Sequence, residues 1–198
     1  VTIGEKNLAL SDVEKVSKGR VKVTLSSGAK KNIKKSKEFL LEQLASEKSI
    51  YGINTGFGLL SDIQVSESDL SQLQYNLIRS HATGVGNYLS DEDVRAMLLL
   101  RAQALSLGYS GVSVELVEKI VEILNAGICP LVPEQGSVGA SGDLAPLAHL
   151  ALPLIGEGSV RLYGKEMSAK KALKIKDIEP IELGPKEGLG LINGTQFI

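Results

Sequence analysis

Apolar residues recur at helical spacing along most of the chain. Leu70, Leu73, Leu77 and Ile78 lie three and four apart and predict a helix ending near His81. Ser90 caps a second helix, which carries Val94, Met97, Leu98 and Leu105 and stops at Gly108. Ser113 opens a third, with Val117, Ile120, Val121 and Leu124 on one face and Gly127 beyond its end. Ser11-Asp-Val-Glu14 reads as a capping box with Gly19 as its stop. A helix over Ser36–Ala45 buries Phe39, Leu40 and Leu44. Asp143 sits in the first turn of another that runs through Leu154, with Pro146 where a missing N–H costs little. A weak helix covers Ser168 to about Leu173.

Alternation is confined to Val21, Val23 and Leu25, a short strand ending at Ser26-Ser27-Gly28, and to Val160–Tyr163. Two glycine-rich segments, Tyr51–Gly58 and Gly136–Asp143, fall between helices, and Pro130 and Pro133 stiffen the approach to the second. The pattern predicts a mainly α fold with minor β, in one unit spanning 1–198. The chain reaches Asn193-Gly-Thr-Gln-Phe-Ile198 without a closing helix, which suggests a chain cut short.

Composition narrows the partners. Of 198 residues 43% are hydrophobic and 23% charged, ordinary values for a soluble globular protein. The formal charge of −1 gives no global field for nucleic acid or an anionic membrane. Lys30, Lys31, Lys34, Lys35 and Lys37 are without an aromatic residue before Phe39 and read as a solvated approach to a helix. Cys129 is the only cysteine, so an internal disulfide and a cysteine zinc cluster are excluded. Its neighbours Ile128 and Pro130 predict burial. The first residues, Val1-Thr-Ile-Gly-Glu-Lys6, hold no apolar signal core. The longest apolar stretch, Leu144–Ile155, is too short for a membrane span and contains His149 and two prolines. A cytoplasmic location is the default expectation.

The chemistry concentrates in Gly136-Ser-Val-Gly-Ala-Ser-Gly-Asp143. Glycines and alanine around Ser141 leave the backbone free to fold until the Gly142 amide nitrogen meets the Ala140 carbonyl carbon. Ring closure there, with loss of water and of the Ser141 hydroxyl, gives a methylidene-imidazolone. That group is an electron sink, which ordinary side chains do not offer. Three other readings stand beside this one. Backbone amides of such a loop cradle phosphate, but Gly136, Gly139 and Gly142 fit neither nucleotide-binding spacing. A hydrolase nucleophile needs G-x-S-x-G, and Gly139-Ala-Ser-Gly-Asp143 ends in aspartate. A plain surface loop is the reading that the tripeptide alone favours.

Five segments together carry a resemblance. Tyr51-Gly-Ile-Asn-Thr-Gly-Phe-Gly58, Asn76-Leu-Ile-Arg-Ser-His-Ala82 and Val94-Arg-Ala-Met-Leu-Leu-Leu-Arg-Ala102 are the first three. Pro133–His149 and Lys186-Glu-Gly-Leu-Gly-Leu-Ile-Asn-Gly-Thr-Gln196 complete the set. The chain resembles the N-terminal part of the aromatic amino-acid ammonia-lyases and aminomutases, most closely the histidine ammonia-lyases. The resemblance implies that Ala140, Ser141 and Gly142 form the methylidene-imidazolone and that Tyr51 removes the substrate β-proton. A tyrosine titrates near ~10, so that role needs positive potential, which converging helix N-termini would supply.

The resemblance also makes Asn193 an amide that hydrogen-bonds in the pocket, and places Ser80 and His81 against the substrate ring. Ser-His is the histidine-lyase pair, whereas the tyrosine and phenylalanine enzymes resemble His-Leu and Phe-Leu. His149 matches the family motif but reads as a hydrogen-bonded structural residue. The implied activity is conversion of L-histidine to trans-urocanate and ammonia by a cytoplasmic homotetramer. Family subunits are more than twice as long, and the rest of the site lies in the part not present in this sequence. The chain alone is therefore expected to be a non-catalytic fragment or assembly module with Ser141 unmodified.

Overall fold

The computed structural model describes residues 1–45, 50, 53–55, 65, 69–137, 139 and 142–197. In chain order these form β1 (Thr2–Ile3), α1 (Leu10–Ser17), β2 (Thr24–Leu25), α2 (Ser27–Leu44), α3 (Leu70–His81), β3 (Val85–Tyr88), α4 (Asp91–Ser106) and α5 (Val114–Ala126). There follow β4 (Cys129–Pro130), β5 (Pro133–Gln135), α6 (Leu144–Ala151), β6 (Ser159–Leu162), β7 (Lys165–Ser168), α7 (Ala169–Ile175) and α8 (Glu187–Ile192). The expected mainly α fold with minor β is what forms. β1 pairs in parallel with β2, β3 antiparallel with β5, and β6 lies between β4 and β7.

α4 is the central helix. Val94, Met97, Leu98, Leu99, Ala102 and Leu105 are all buried, on more than one face, because α1, α2 and α5 pack around it. Ser90 and Ser113 cap α4 and α5 as the spacing predicts: each hydroxyl accepts an N–H three residues on, at 3.2 Å. Gly127 ends α5 in the left-handed region.

Several boundaries differ from the sequence expectation. α1 is capped at Ala9, where the Asp12 carboxylate accepts the Ala9 N–H (3.3 Å), so Ser11 lies inside the helix. The first strand shrinks to Thr24–Leu25 because Ser26 already caps α2, its hydroxyl accepting the Ala29 N–H at 3.0 Å. α2 thus begins at Ser27 rather than Ser36. Its lysines ride outside a buried stripe of Ala29, Ile33 and Leu40, and Lys30 reaches Glu118 of α5 at 2.5 Å. Phe39 is 61% exposed, contrary to expectation, because it falls off that stripe. Leu44 is half-buried.

α8 is a helix that periodicity does not reveal, since Gly188 and Gly190 lower its intrinsic propensity. Those glycines are there for contact. A Cβ on Gly188 would lie 2.6 Å from the Gln74 carbonyl oxygen of α3, and one on Gly190 2.7 Å from Val112. The fully buried Gln74 side chain accepts the N–H groups of Gly188 (3.0 Å) and Leu189 (3.3 Å). Ser71 meets Leu183 further back along both segments, so α3 and α8 advance in the same direction. Glu187 anchors the start of α8. Its buried carboxylate accepts the N–H of Ser113 and of Gly184, each at 2.8 Å, and faces Lys37 at 3.4 Å.

α6 is the apolar core helix that the sequence predicts, extended by a 3-10 turn at Leu152–Ile155. His149 is structural, as expected: its Nε2 accepts the Gly84 N–H at 3.0 Å, tying the chain beyond α3 to α6. Burial holds the His149 imidazole below the usual histidine range, toward the neutral form that this bond requires.

Three outcomes follow. Gly188→Ala is expected to destabilise the fold by about 1–3 kcal/mol in urea unfolding, because its methyl meets backbone rather than a movable side chain. Gly28→Ala, whose nearest neighbours are 3.9 Å away, should be neutral or stabilising by up to ~1 kcal/mol. For His149 the unfolded chain binds the proton more readily than the folded one. Its contribution is therefore complete above about pH 6.5 and lost as pH falls below that value. The unfolding midpoint should drop between pH 7.5 and 5.5, and His149→Gln should flatten that part of the pH dependence.

Candidate active site

Three helix ends carry the predicted residues. α3 ends on His81, α8 ends one residue before Asn193, and α6 begins just after Gly142-Asp143. Gly139 and Gly142 bond each other in both directions, N–H to O at 2.9 and 3.1 Å. Both amides are thereby consumed, which leaves neither to cradle a phosphate. Ala140, Ser141 and Tyr51 lie outside the described residues.

Gly142 has φ +136°, a conformation strained for an L side chain. A Cβ there would sit 2.6 Å from the Gly194 oxygen and 2.8 Å from its nitrogen. The glycine loop is thus pressed against the Asn193-Gly194 turn, backbone on backbone. Next along, the Asp143 N–H donates to Gly194 O (2.7 Å), and the Asp143 carboxylate accepts the Phe197 N–H (2.8 Å). Asp143 is completely buried, and its second oxygen has no partner among the described residues. It is the N-cap residue of α6, one position before the first turn in which the sequence placed it, and its side chain serves the turn rather than its own helix.

Asn193 closes α8, its N–H on Leu189 O at 3.0 Å, and leaves its side chain exposed. Behind the turn stands Arg101 of α4, 5% exposed. It donates to Gln196 Oε1 (3.0 Å) and to Gly190 O, while burial alone pushes its guanidinium down to about 10. Gly142 and Asn193 are therefore brought together through Gly194.

His81 ends α3 with its ring clamped. Nδ1 lies 2.8 Å from Leu77 O and 3.2 Å from the Ser80 hydroxyl, which itself donates to Leu77 O at 3.1 Å. A carbonyl oxygen cannot donate, so Nδ1 carries a proton, and in the neutral ring Nε2 is then the acceptor. Gly84, just beyond His81, packs near Gly136: a Cβ on Gly136 would lie 3.8 Å from its Cα and 2.9 Å from Ala145 Cβ. Ser80 supports the His81 ring; its hydroxyl is turned back onto its own helix.

Only one helix N-terminus, that of α6, faces the loop among the described residues; α3 and α8 arrive by their C-terminal ends. His149 has its Nε2 engaged by Gly84 and so does not offer that nitrogen as a base for a serine nucleophile. Among the described residues no cluster suits a metal ion, and no helix is long and apolar enough to cross a membrane.

Sequence reasoning missed Gln74 and Arg101. Both stand on apolar stripes, Gln74 between Leu70 and Leu77 and Arg101 between Leu98 and Leu105. A polar residue at a core position was the signal available.

Comparison with known proteins places this geometry. A histidine ammonia-lyase of Geobacillus thermodenitrificans is 50% identical over 190 residues, 96% of this chain and 38% of that enzyme. The crystal structure of the ergothioneine degrading enzyme ergothionase from Treponema denticola superposes with a TM-score of 0.95 at 36% identity, covering 100% of this chain and 39% of that one. A phenylalanine aminomutase from Pantoea agglomerans superposes at 0.93 with 39% identity, over 100% and 38% respectively. The chain thus spans well under half the length of the proteins it matches. The family model described as aromatic amino acid lyase matches residues 8–198, and with its glycine loop packed on the Asn193-Gly194 turn the chain belongs to that family.

Proposed function

We propose that the complete polypeptide carrying this segment deaminates L-histidine to trans-urocanate and ammonia. The observation that carries the substrate is the His81 clamp. With Nδ1–H committed to Leu77 O, Nε2 offers a fixed acceptor that complements a ring N–H of histidine. A phenyl or phenol ring offers no N–H to it, and a desolvated acceptor left unmatched is costly. The histidine ammonia-lyases among the relatives support the same choice.

The loop suits a methylidene-imidazolone made from Ala140, Ser141 and Gly142. The Gly139–Gly142 pair closes a loop of the right length, and Gly142 occupies a place that a side chain would block. Such a ring supplies an electrophile that takes up electron density from the substrate. In this reading Tyr51 takes the β-proton, and Asn193 directs its carboxamide into the pocket. The N-terminus of α6 lends the loop positive potential.

The working form is proposed to be a homotetramer in the cytoplasm. Val85 and Tyr88, exposed on β3, suit a surface covered by assembly. Within this reading residues 1–198 form an active-site-loop unit that, made alone, lacks turnover and keeps Ser141 as serine.

Urocanate absorbs in the ultraviolet where histidine does not, so turnover is read directly. Faster deamination of tyrosine or phenylalanine than of histidine by the complete polypeptide would sink the substrate assignment. His81→Phe should lower kcat/KM for histidine about 10- to 100-fold, the cost of one unmatched polar group. Intact mass tests the prosthetic group. Two lost waters, roughly 36 mass units, are expected in the complete polypeptide and not in residues 1–198 made alone. A serine-directed probe that labels Ser141 would instead favour a hydrolase.

A further inference from the structure

Arg101 is a buried cation on the central helix, and among the described residues it has no ion-pair partner within 4 Å. Burying a guanidinium is costly unless its donors are satisfied. Two of them are spent on one short stretch of chain, while the buried Nε has no partner among the described residues. One arm donates to Gly190 O in the last turn of α8, and the other to Gln196 Oε1 beyond it. Between those two points lies Gly194, where a Cβ would fall 2.2 Å from Nη1. On its other side Gly194 meets Gly142. The guanidinium is therefore the floor of the Asn193-Gly194 turn, and Gly142 lies on the turn's other side.

We propose that Arg101 is the positioning residue of the site: its planar fork fixes the turn from Gly190 to Gln196 and so sets Asn193 against the Gly139–Gly142 loop. The role needs a fork rather than a charge. Lysine keeps the charge but has a single nitrogen, which cannot span two separated acceptors with the same planar geometry. Gln196 is the replaceable half of the device, being only half-buried. The Arg101–Gly190 bond remains when its side chain is cut back, so the fold is expected to survive Gln196→Ala. The inference rests on the reading of Asn193 as a pocket residue, but its first test does not.

That test is amide hydrogen exchange in the 198-residue chain. Gln196→Ala and Arg101→Lys should each speed exchange of the Asp143 and Phe197 amides about tenfold or more, because both amides are protected only through the turn. Amides of Leu98 and Ile120 should keep their rates. Unchanged rates at Asp143 and Phe197, or equal acceleration everywhere, would overturn the proposal. If Arg101→Lys fails to fold, Gln196→Ala decides alone.

The second test is kinetic, in the complete polypeptide with histidine. Each variant should lower kcat about tenfold or more, and the double variant should be no worse than Arg101→Lys, since both cuts release one turn. Strictly additive losses would refute it. A wild-type polypeptide that does not deaminate histidine would remove the proposed substrate and leave the exchange result standing.

Discussion

Contact between two glycine backbones, Gly142 and Gly194, is the constraint on which the site depends. Side chains elsewhere in the core can adjust by rotamer, but a peptide unit resting on another peptide unit cannot. The Asp143 N–H to Gly194 O bond at 2.7 Å then sets the spacing, and the Asp143 carboxylate on Phe197 sets the direction of the chain beyond. Two stretches some fifty residues apart are thus held as one surface.

The same logic explains why α8 exists. A helix of six residues is far below the length that is stable by itself. Glu187 fixes its start, Gln74 takes up two of its free N–H groups, and Arg101 takes a carbonyl of its last turn. Each such bond contributes roughly 1 kcal/mol net, but leaving any of these buried groups unpaired costs more. Polar anchors inside the core therefore select one placement of α8. Because α8 runs alongside α3, that placement also relates Asn193 to the helix that ends on His81.

Much of this was legible in the residues. Serine caps, three- and four-residue spacing and glycine stops located α3, α4, α5 and α7 closely, because there local preference and tertiary packing agree. The shape of α2 was hidden by its lysines, which suggest a solvated approach although they ride on a helix whose buried stripe is narrow. α8 was hidden because Gly188 and Gly190 serve contact with Gln74 and Val112, a demand that exists only in three dimensions. At the candidate site, Gly142, His81 and Asn193 were proposed through motif resemblance. Their supports, Gln74 and Arg101, were not, since a buried polar side chain is recognisable only once its acceptor is known. The clamp on the His81 ring likewise depends on a carbonyl one helical turn back, which no sequence pattern specifies.

Cys129 has a bearing on chemical compatibility. The methylidene-imidazolone proposed above would have to coexist with the chain's own nucleophiles, of which a thiolate is the most aggressive. This chain has one sulfhydryl. It is shut inside the β4–β6 pairing, and burial pushes it up to about 11. At neutral pH the thiol form therefore dominates. The one group in this chain best able to quench such an electrophile is kept both out of reach and in its inert form.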